Sequence, residues 1–244
     1  EVAGNVGYYY GGGIYRSTID INHCAVNGNS TERHGGGGIY ACTGEIWHSV
    51  IADNQARYGA GICYGNLNLV SCRITNNRSR HWGGGIHRLK SGVINNCLIV
   101  GNYAFWGGGI NHAYPEVGIT DCTIADNSAF IGSGLCWCKG LIANCIIWGN
   151  TDQSRYQPRP IAYCSTPIYS CIQDWDGLGE GNIGDDPLFV SGPEDDYYLS
   201  CVMTGQDKDS PCIDAGQGEL PSDVDYTTRT DYLSDDEFLD MGYH

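Results

Sequence analysis

The aromatic residues best suited to binding chemistry recur at one position of a repeated unit, four residues before an isoleucine that follows a run of glycines. They are Tyr10, Tyr58, Trp82 and Trp106. Flat aromatic faces at regular intervals could form a platform on which sugar rings stack. Alternatively, the rings stack on one another and shield the glycine turns, each pair contributing about 0.5–1.5 kcal/mol. The structural alternative is favoured, because the sequence alone does not show which way the rings point.

Carboxylates that could bind a metal or transfer protons are concentrated at the end of the chain. Residues 1–173 carry 11 Lys and Arg against 9 Asp and Glu, whereas residues 174–244 carry 2 against 19, which accounts for the net charge of −15. Two clusters could supply oxygen ligands to calcium, which takes about six to eight. These clusters are Asp223 with Asp225, and Asp235 with Asp236 and Glu237. A solvated acidic surface is favoured, because no calcium-loop pattern is present. Calcium at this segment is the one cofactor that the sequence allows.

The composition also excludes some partners. Nucleic-acid binding requires a basic face, which this acidic chain does not predict. No apolar run reaches the roughly 18 residues of a membrane span, so no transmembrane segment is expected. The chain begins at Glu1 and shows no signal peptide, so we expect a form processed from a longer precursor.

Thirteen cysteines are present, and five of them form a column with Ser49 in which successive members are 23 or 25 residues apart. The five are Cys24, Cys72, Cys97, Cys122 and Cys145. Neighbouring rungs hold side chains roughly 4.8 Å apart, farther than the Cβ atoms of a relaxed disulfide, so we expect buried thiols that behave as small hydrophobes. Cys201 and Cys212 lie outside the column and are the candidate disulfide. Cys136 and Cys138 share a predicted strand face and could form half of a zinc site, but no second pair follows at suitable spacing.

The aromatic and cysteine columns can each line up in space only if a structural element repeats at the same interval along the chain. Two residues after each member of the cysteine column comes Val or Ile, which places both on one strand face and predicts that both point into a core. Five residues after it comes an asparagine; these are Asn29, Asn54, Asn77, Asn102, Asn127 and Asn150. Asparagine tolerates left-handed backbone, and stacked amides can hydrogen-bond from rung to rung. Glycine triplets such as Gly36 to Gly38 recur in the same register.

The pattern predicts an all-β fold, a right-handed parallel β-helix with about 24 residues per coil. The solenoid is expected to cover residues 1–184, and an irregular acidic C-terminal cap residues 185–244. Leucine-rich repeats are excluded, because the sequence has no leucine column and no helical period. Short insertions at residues 89–92 and 112–118 are expected to be surface loops.

The succession of Cys-x-Ile, Asn and Gly-Gly-Gly-Ile resembles the secreted bacterial right-handed β-helix repeat proteins and, more distantly, the chlamydial polymorphic outer-membrane protein repeats. The similarity covers about residues 1–150. Residues 186–190, 210–216 and 240–243 are similar to the closing segment of many such bacterial proteins. The family is known mostly by its fold, so the resemblance implies this architecture and an extracellular or cell-surface location more strongly than any activity.

Three functional hypotheses follow. The first is a non-catalytic extracellular structural or adhesive protein that assembles head to tail into a surface filament, with the acidic end of one copy on the open first rung of the next. The second is a polysaccharide-binding or polysaccharide-cleaving protein of the pectate-lyase-like superfamily. The third is a fragment of a larger cell-surface passenger.

Catalysis is not favoured under the second hypothesis. Asn150-Thr151-Asp152, with Arg155 and Arg159 nearby, resembles one polygalacturonase motif, and Asp185-Asp186 resembles another. The Gly-His-Gly and Arg-Ile-Lys elements of that family are absent from the sequence. Such Asn and Asp residues more often form turns.

Overall fold

The computed structural model describes residues 1–152, 159–218, 228–231 and 239–243, and its regular elements are short strands with a single turn of 3₁₀ helix. Each regular coil passes through three strand regions, and equivalent strands of successive coils pair in parallel to build three sheets. Sheet 1 contains the strands that follow the cysteine column, sheet 2 those that follow the asparagines, and sheet 3 those that follow the glycine triplets. The predicted parallel β-helix is confirmed.

The strand boundaries follow the repeat. Sheet 1 consists of Val2–Ala3, Ala25–Asn27, Val50–Ala52, Arg73–Thr75, Leu98–Val100, Thr123–Ala125, Ile146–Trp148 and Cys171–Ile172. Sheet 2 consists of Val6–Gly7, Ser30–Thr31, Gln55–Tyr58 and Arg78–Trp82, with Ser128–Ala129 and Thr151–Asp152 as a further pair. Sheet 3 consists of Ile14–Tyr15, Thr18–Asn22, Ile39–Trp47, Ile62–Val70, Ile86–Asn95, Ile110–Asn111, Val117–Thr120, Leu135–Cys136, Ile142–Ala143 and Ile161–Ala162. Beyond the solenoid, Phe189–Val190 pairs antiparallel with Tyr198–Leu199, and Val202–Thr204 forms the 3₁₀ turn.

The core is a stack of isoleucine columns in register. In sheet 1, Ile51 pairs with Ile74 and Ile74 with Ile99, and in sheet 3, Ile62 pairs with Ile86. All five side chains are fully buried, and each contributes about 1.5–3 kcal/mol relative to an exposed position. Because β-branched side chains fit a pleated surface, one residue type can fill the interior of successive coils.

The glycine triplets form the corner between sheets 2 and 3. Gly36 has a φ of +70°, in the left-handed region. A Cβ atom on Gly38 would lie 2.7 Å from the carbonyl oxygen of Gly61 and 3.1 Å from the amide carbon of Asn54. The third glycine is therefore required by the close approach of two coils and of the asparagine column.

The asparagine column is a buried hydrogen-bonded ladder, as predicted. Asn77 Nδ2 donates to Asn102 Oδ1 at 3.0 Å and to the carbonyl oxygen of Ile51 at 2.8 Å, while Asn77 Oδ1 accepts from the backbone N–H of Asn54 at 3.1 Å. Side-chain bonds of this kind continue from Asn5 to Asn150. The left-handed backbone expected at these asparagines lies one residue earlier, because the corner residue turns the chain and leaves the amide pointing inward. Those corner residues are Gly28, Asp53, Asn76, Gly101, Asp126 and Gly149.

The cysteine column lies at the corner between sheets 3 and 1, just before each sheet 1 strand. Cys72, Cys97, Cys122 and Cys145 are fully buried, but Cys24 is exposed, which corrects the expectation of burial for the first member. Each buried thiol donates to a nearby backbone carbonyl oxygen, as Cys122 Sγ does to Thr120 at 3.0 Å. Ser49 and Ser170 occupy the same column, and their hydroxyls donate to equivalent carbonyl oxygens. The thiols therefore act as weak hydrogen-bond donors at a corner as well as small hydrophobes.

Two other cysteine predictions differ from the structure. Cys201 and Cys212 are both free thiols, so the candidate disulfide is not formed; Cys212 packs instead in a cluster with Cys171. Cys136 and Cys138 do not share a strand face, because the backbone turns at Trp137, where φ is +58°. Cys138 enters the core, so the zinc half-site loses its geometric basis.

The described parts of the acidic C-terminal segment lie along the outer face of sheet 1. Arg73 Nη1 lies 2.8 Å from Asp195 Oδ2, and the backbone N–H of Tyr243 donates to Thr123 Oγ1 at 2.9 Å. An apolar cluster joins the segment to the last coils; its buried members are Ile146, Cys171, Leu199, Cys212 and Met241. Several sequence candidates lie outside the described residues: Arg155, Asp223, Asp225, Asp235, Asp236 and Glu237.

One of the two predicted insertion loops is wrong. Residues 89–92 belong to the strand Ile86–Asn95, and a register shift after Gly65 of the preceding coil accommodates the difference in length as a β-bulge. Residues 112–116 connect two strands, Ile110–Asn111 and Val117–Thr120, but the predicted loop is too long, because residues 117–118 belong to the second strand and Ala113 and Val117 are buried. Within the described part of the chain, no helix is long and apolar enough to span a membrane.

Candidate functional site

The aromatic column lies on the outside of the corner between sheets 2 and 3. Tyr58 pairs in register with Trp82, and Trp82 with Trp106, so three successive coils each present one ring. Trp82 is 44 % exposed and Tyr10 is 39 % exposed, whereas Tyr58 and Trp106 are half-buried. The rings of Tyr58 and Trp82 stack with centroids 5.1 Å apart. Tyr58 and Trp82 therefore stack on each other while Trp82 also faces solvent, so the two interpretations are compatible at these two positions.

Two further columns, which sequence reasoning missed, lie beside the aromatic column and follow the sheet 3 isoleucine. We call the first the floor column; its members are Tyr15, Tyr40, Cys63, His87, Asn111, Cys136 and Ala162. We call the next residues in sequence the wall column; its members are Arg16, Ala41, Tyr64, Arg88, His112, Trp137 and Tyr163. Alignment of the repeats on the isoleucine would have located both columns. Their residue types vary from coil to coil, so they leave no repeated signature.

An open groove of about 420 Å³ runs between the aromatic column and the wall column. It is lined by Trp82, His87, Arg88, Trp106, Asn111, His112 and Trp137. Aromatic contacts continue beyond this part of the groove: Trp137 stacks on Tyr163 at 4.8 Å, and Tyr40 meets Tyr64 at 5.6 Å. The groove thus follows the solenoid axis, and neighbouring coils repeat its side chains at roughly 4.8 Å intervals.

Two buried polar side chains form the groove floor. His87 Nδ1 lies 3.0 Å from Asn111 Oδ1. Because a carbonyl oxygen only accepts, Nδ1 carries the proton and donates it. Burial, followed by the nearby Arg88 charge, lowers the pKa of His87 to about 3. The imidazole is therefore neutral at physiological pH, which leaves Nε2 as a hydrogen-bond acceptor.

The floor thiols are poor nucleophiles. Burial raises the pKa of Cys136 to about 12, and burial also raises the pKa of Cys63 above its ordinary value. A thiol attacks as its thiolate, so both groups are almost fully protonated and unreactive near neutral pH. None of the seven groove-lining residues is Asp or Glu. The floor is therefore suited to hydrogen bonding rather than to nucleophilic or carboxylate chemistry.

The wall residues that line the groove contribute hydrogen-bond donors and, through Arg88, a positive charge. Arg88 Nη1 donates to the hydroxyl of Tyr64 at 2.7 Å, and its guanidinium carbon lies 5.5 Å from the centroid of that ring. Burial and the adjacent Arg88 charge lower the pKa of His112, which favours the neutral ring. The described lining residues can therefore offer aromatic faces, neutral hydrogen-bonding groups and the guanidinium of Arg88 to one ligand.

The other sequence candidates do not join this groove lining. Asp152 ends a sheet 2 strand, and its Oδ2 accepts the backbone N–H of Arg159 at 3.2 Å. Asp186 Oδ1 accepts the backbone N–H of Leu188 at 2.9 Å, which is turn geometry. Across the described ranges, no group of three or more His, Cys, Asp or Glu side chains could hold a metal ion.

No protein-family model, curated protein or solved structure matches this chain. The geometry of the groove is therefore the basis for a function.

Proposed function

We propose that this protein is a non-catalytic adhesive β-solenoid that binds an extracellular polysaccharide lengthwise in the groove. The observation that carries the proposal is the pairing of an outward aromatic column with a polar wall across successive coils. A polysaccharide is a chain of similar sugar rings, so it suits a groove in which aromatic and polar side chains recur along the solenoid axis. Aromatic faces bind the apolar faces of sugars, and polar groups bind the hydroxyls.

The chemistry of the groove favours binding over cleavage. Among the described residues, its lining includes no carboxylate pair of the kind that glycoside hydrolysis uses. Cys63 and Cys136 in the floor column are held as thiols by burial. An extracellular or cell-surface location is part of the proposal, and it is supported by the resemblance of the repeat to secreted bacterial β-helix proteins.

A glycan array followed by titration calorimetry tests the proposal. Trp82→Ala is expected to weaken polysaccharide binding roughly five- to tenfold, because a stacked ring contributes about 1 kcal/mol. Trp47→Ala is the matched control: Trp47 is 42 % exposed against 44 % for Trp82, but it ends a sheet 3 strand and does not line the groove. Equal loss in both variants, or no binding to any polysaccharide by the unmodified protein, contradicts the proposal.

Head-to-tail association is a second proposal, supported by the open edge of the first rung. Within the part of the chain that the structure describes, Ile14–Tyr15 and Thr18–Asn22 pair on one side only, with Ile39–Trp47. Val2, Ile14, Ile19 and Ile21 are only partly buried there. Strand addition by another copy would cover these groups. Further coils of a larger cell-surface passenger would cover them equally well.

Cryo-electron microscopy of the full-length gene product separates these two arrangements. Ordered fibres in which density continues across the Glu1 edge would support self-assembly. Dispersed particles whose first rung is covered by their own chain would contradict it and would support the larger passenger.

A further inference from the structure

The corner residues of the solenoid adopt left-handed backbone in four columns, and one of them has an unusual composition. The column before the ladder asparagines contains only Gly, Asp and Asn, and the first position of each glycine triplet is always Gly. These residue types tolerate positive φ best. The column before the ladder cysteines is mixed; it holds His23, His48, Ser71, Asn96, Asp121, Asn144 and Tyr169.

The wall column contains no Gly, Asp or Asn. Its seven members have φ between +46° and +65°, yet they are Arg16, Ala41, Tyr64, Arg88, His112, Trp137 and Tyr163. Six carry large side chains in a conformation that disfavours any Cβ atom. Strained residues persist where the surrounding structure imposes them, and they cluster at ligand-binding sites. The groove supplies the second observation, because Arg88, His112 and Trp137 line it directly.

We infer that the wall column is the specificity-determining surface of the groove and that Arg88 selects an anionic polysaccharide such as a polyuronate. The inference rests on the proposed function and names its ligand class. Within the described ranges Arg88 forms no ion pair; its one hydrogen-bond partner in the groove wall is the neutral Tyr64 hydroxyl. A guanidinium has five donors, so the remaining ones can bind a carboxylate in fork geometry. Trp137 lies one coil farther along the wall column than His112, and it contributes stacking without selecting for charge.

The test replaces wall residues with asparagine, which accepts left-handed backbone. The probes are polygalacturonate and its carboxyl-reduced neutral counterpart, and the variants are Arg88→Asn and Trp137→Asn. The matched control is His48→Asn, because His48 is also left-handed, with a φ of +43°, and exposed, but lies at another corner. Arg88→Asn is expected to abolish the preference for the acidic polymer, with a loss of about tenfold or more. Trp137→Asn is expected to weaken binding of both polymers, and His48→Asn is expected to change neither.

Melting temperatures provide a readout that does not depend on ligand. If the wall residues are retained for binding, all three variants should melt at the same temperature as the parent or about 2–4 °C higher, since strain is relieved. A clear fall in the two wall variants but not in the control would show that the wall is kept for packing and would overturn the inference. Parent binding that survives both wall substitutions would overturn the inference alone. Absence of parent binding to every polysaccharide tested would overturn the proposed function as well.

Discussion

The two long faces of this solenoid are built from the same coils but meet solvent differently. On the outer face of sheet 1, Thr123 and Ile146 are buried beneath the C-terminal segment. On the groove side, Trp82 and Trp137 remain exposed. The repeat sets which side chains point outward, and a segment that does not repeat decides which of them are covered. The open face keeps large aromatic and basic groups in water, which is the arrangement expected of a binding surface.

The largest expected effect comes from breaking the interior that both faces share. Asn102→Ala removes the acceptor for the backbone N–H and side-chain amide of Asn77, and the donor to Ile74 and Asn127. Because these buried groups lose their partners, the free energy of unfolding should fall by about 3 kcal/mol or more. Chemical denaturation measures it. Asn5→Ala is the control at an exposed position and should cost about 1 kcal/mol or less; equal losses would contradict an interior ladder.

Acid should destabilise the groove floor before any ligand is considered. The pKa of His87 is lowered to about 3 in the folded protein, below its ordinary value in the unfolded chain. The unfolded chain therefore binds more protons between about pH 6.5 and 3, and stability falls as the pH falls through that range. The loss by pH 4.5 should be on the order of 2 kcal/mol. His87→Asn should have a flatter stability profile in denaturation at several pH values; identical profiles would show that His87 is not the cause.

Loosening the C-terminal segment from the outer face of sheet 1 should lower the free energy of unfolding by a smaller amount. Arg73→Ala removes the ion pair with Asp195, in which the two side chains are 28 % and 9 % exposed. The expected loss is about 1–2 kcal/mol, since this pair is only partly screened. Limited proteolysis should then release the C-terminal segment sooner. Arg78→Ala, on the open side where Arg78 lies over the Tyr103 ring, is the control; equal protease resistance of the two variants would count against the contact.

The smallest effect is expected at the cysteine corner. Cys122→Ser should change the free energy of unfolding by less than about 1 kcal/mol, because a hydroxyl can replace the thiol donor to Thr120. Cys122→Val should cost more, because it leaves that carbonyl oxygen and the backbone N–H of Cys97 without this partner. Thermal and chemical denaturation compare the two variants. A stable valine variant and an unstable serine variant would restore the view of these thiols as simple hydrophobes.

The sequence predicts the interior well because interior positions admit few residue types. The asparagine ladder and the third glycine of each triplet constrain each other sterically, as Gly38 and Asn54 show, and such constraints repeat in every coil. Only one side of the groove, the aromatic column, could be predicted from the sequence. Trp82 and Trp106 belong to a column of similar residues, whereas Arg88, His112 and Trp137 share a backbone conformation that residue type does not reveal.

The covered face could not be predicted, because single long-range contacts have no local signature. Arg73 and Asp195 are 122 residues apart in sequence, and nothing in either neighbourhood indicates the other. The same is true of Cys212, which packs in one apolar cluster with the distant Cys171. A bulge and a loop add residues in the same way, so the sequence does not distinguish a bulged strand from the loop expected at residues 89–92.

The C-terminal segment also changes how the molecule should unfold. Coils of a solenoid contact only their neighbours, so they can melt one after another from an end. Here one segment reaches Arg73, Asp126 and Asn144 in separate coils, through Asp195, Tyr197 and Gln217. If any one of these coils unfolded, the contacts between the segment and the other coils would be strained. The segment therefore works as a strap that couples distant coils, and it should turn a stepwise process into a single cooperative transition.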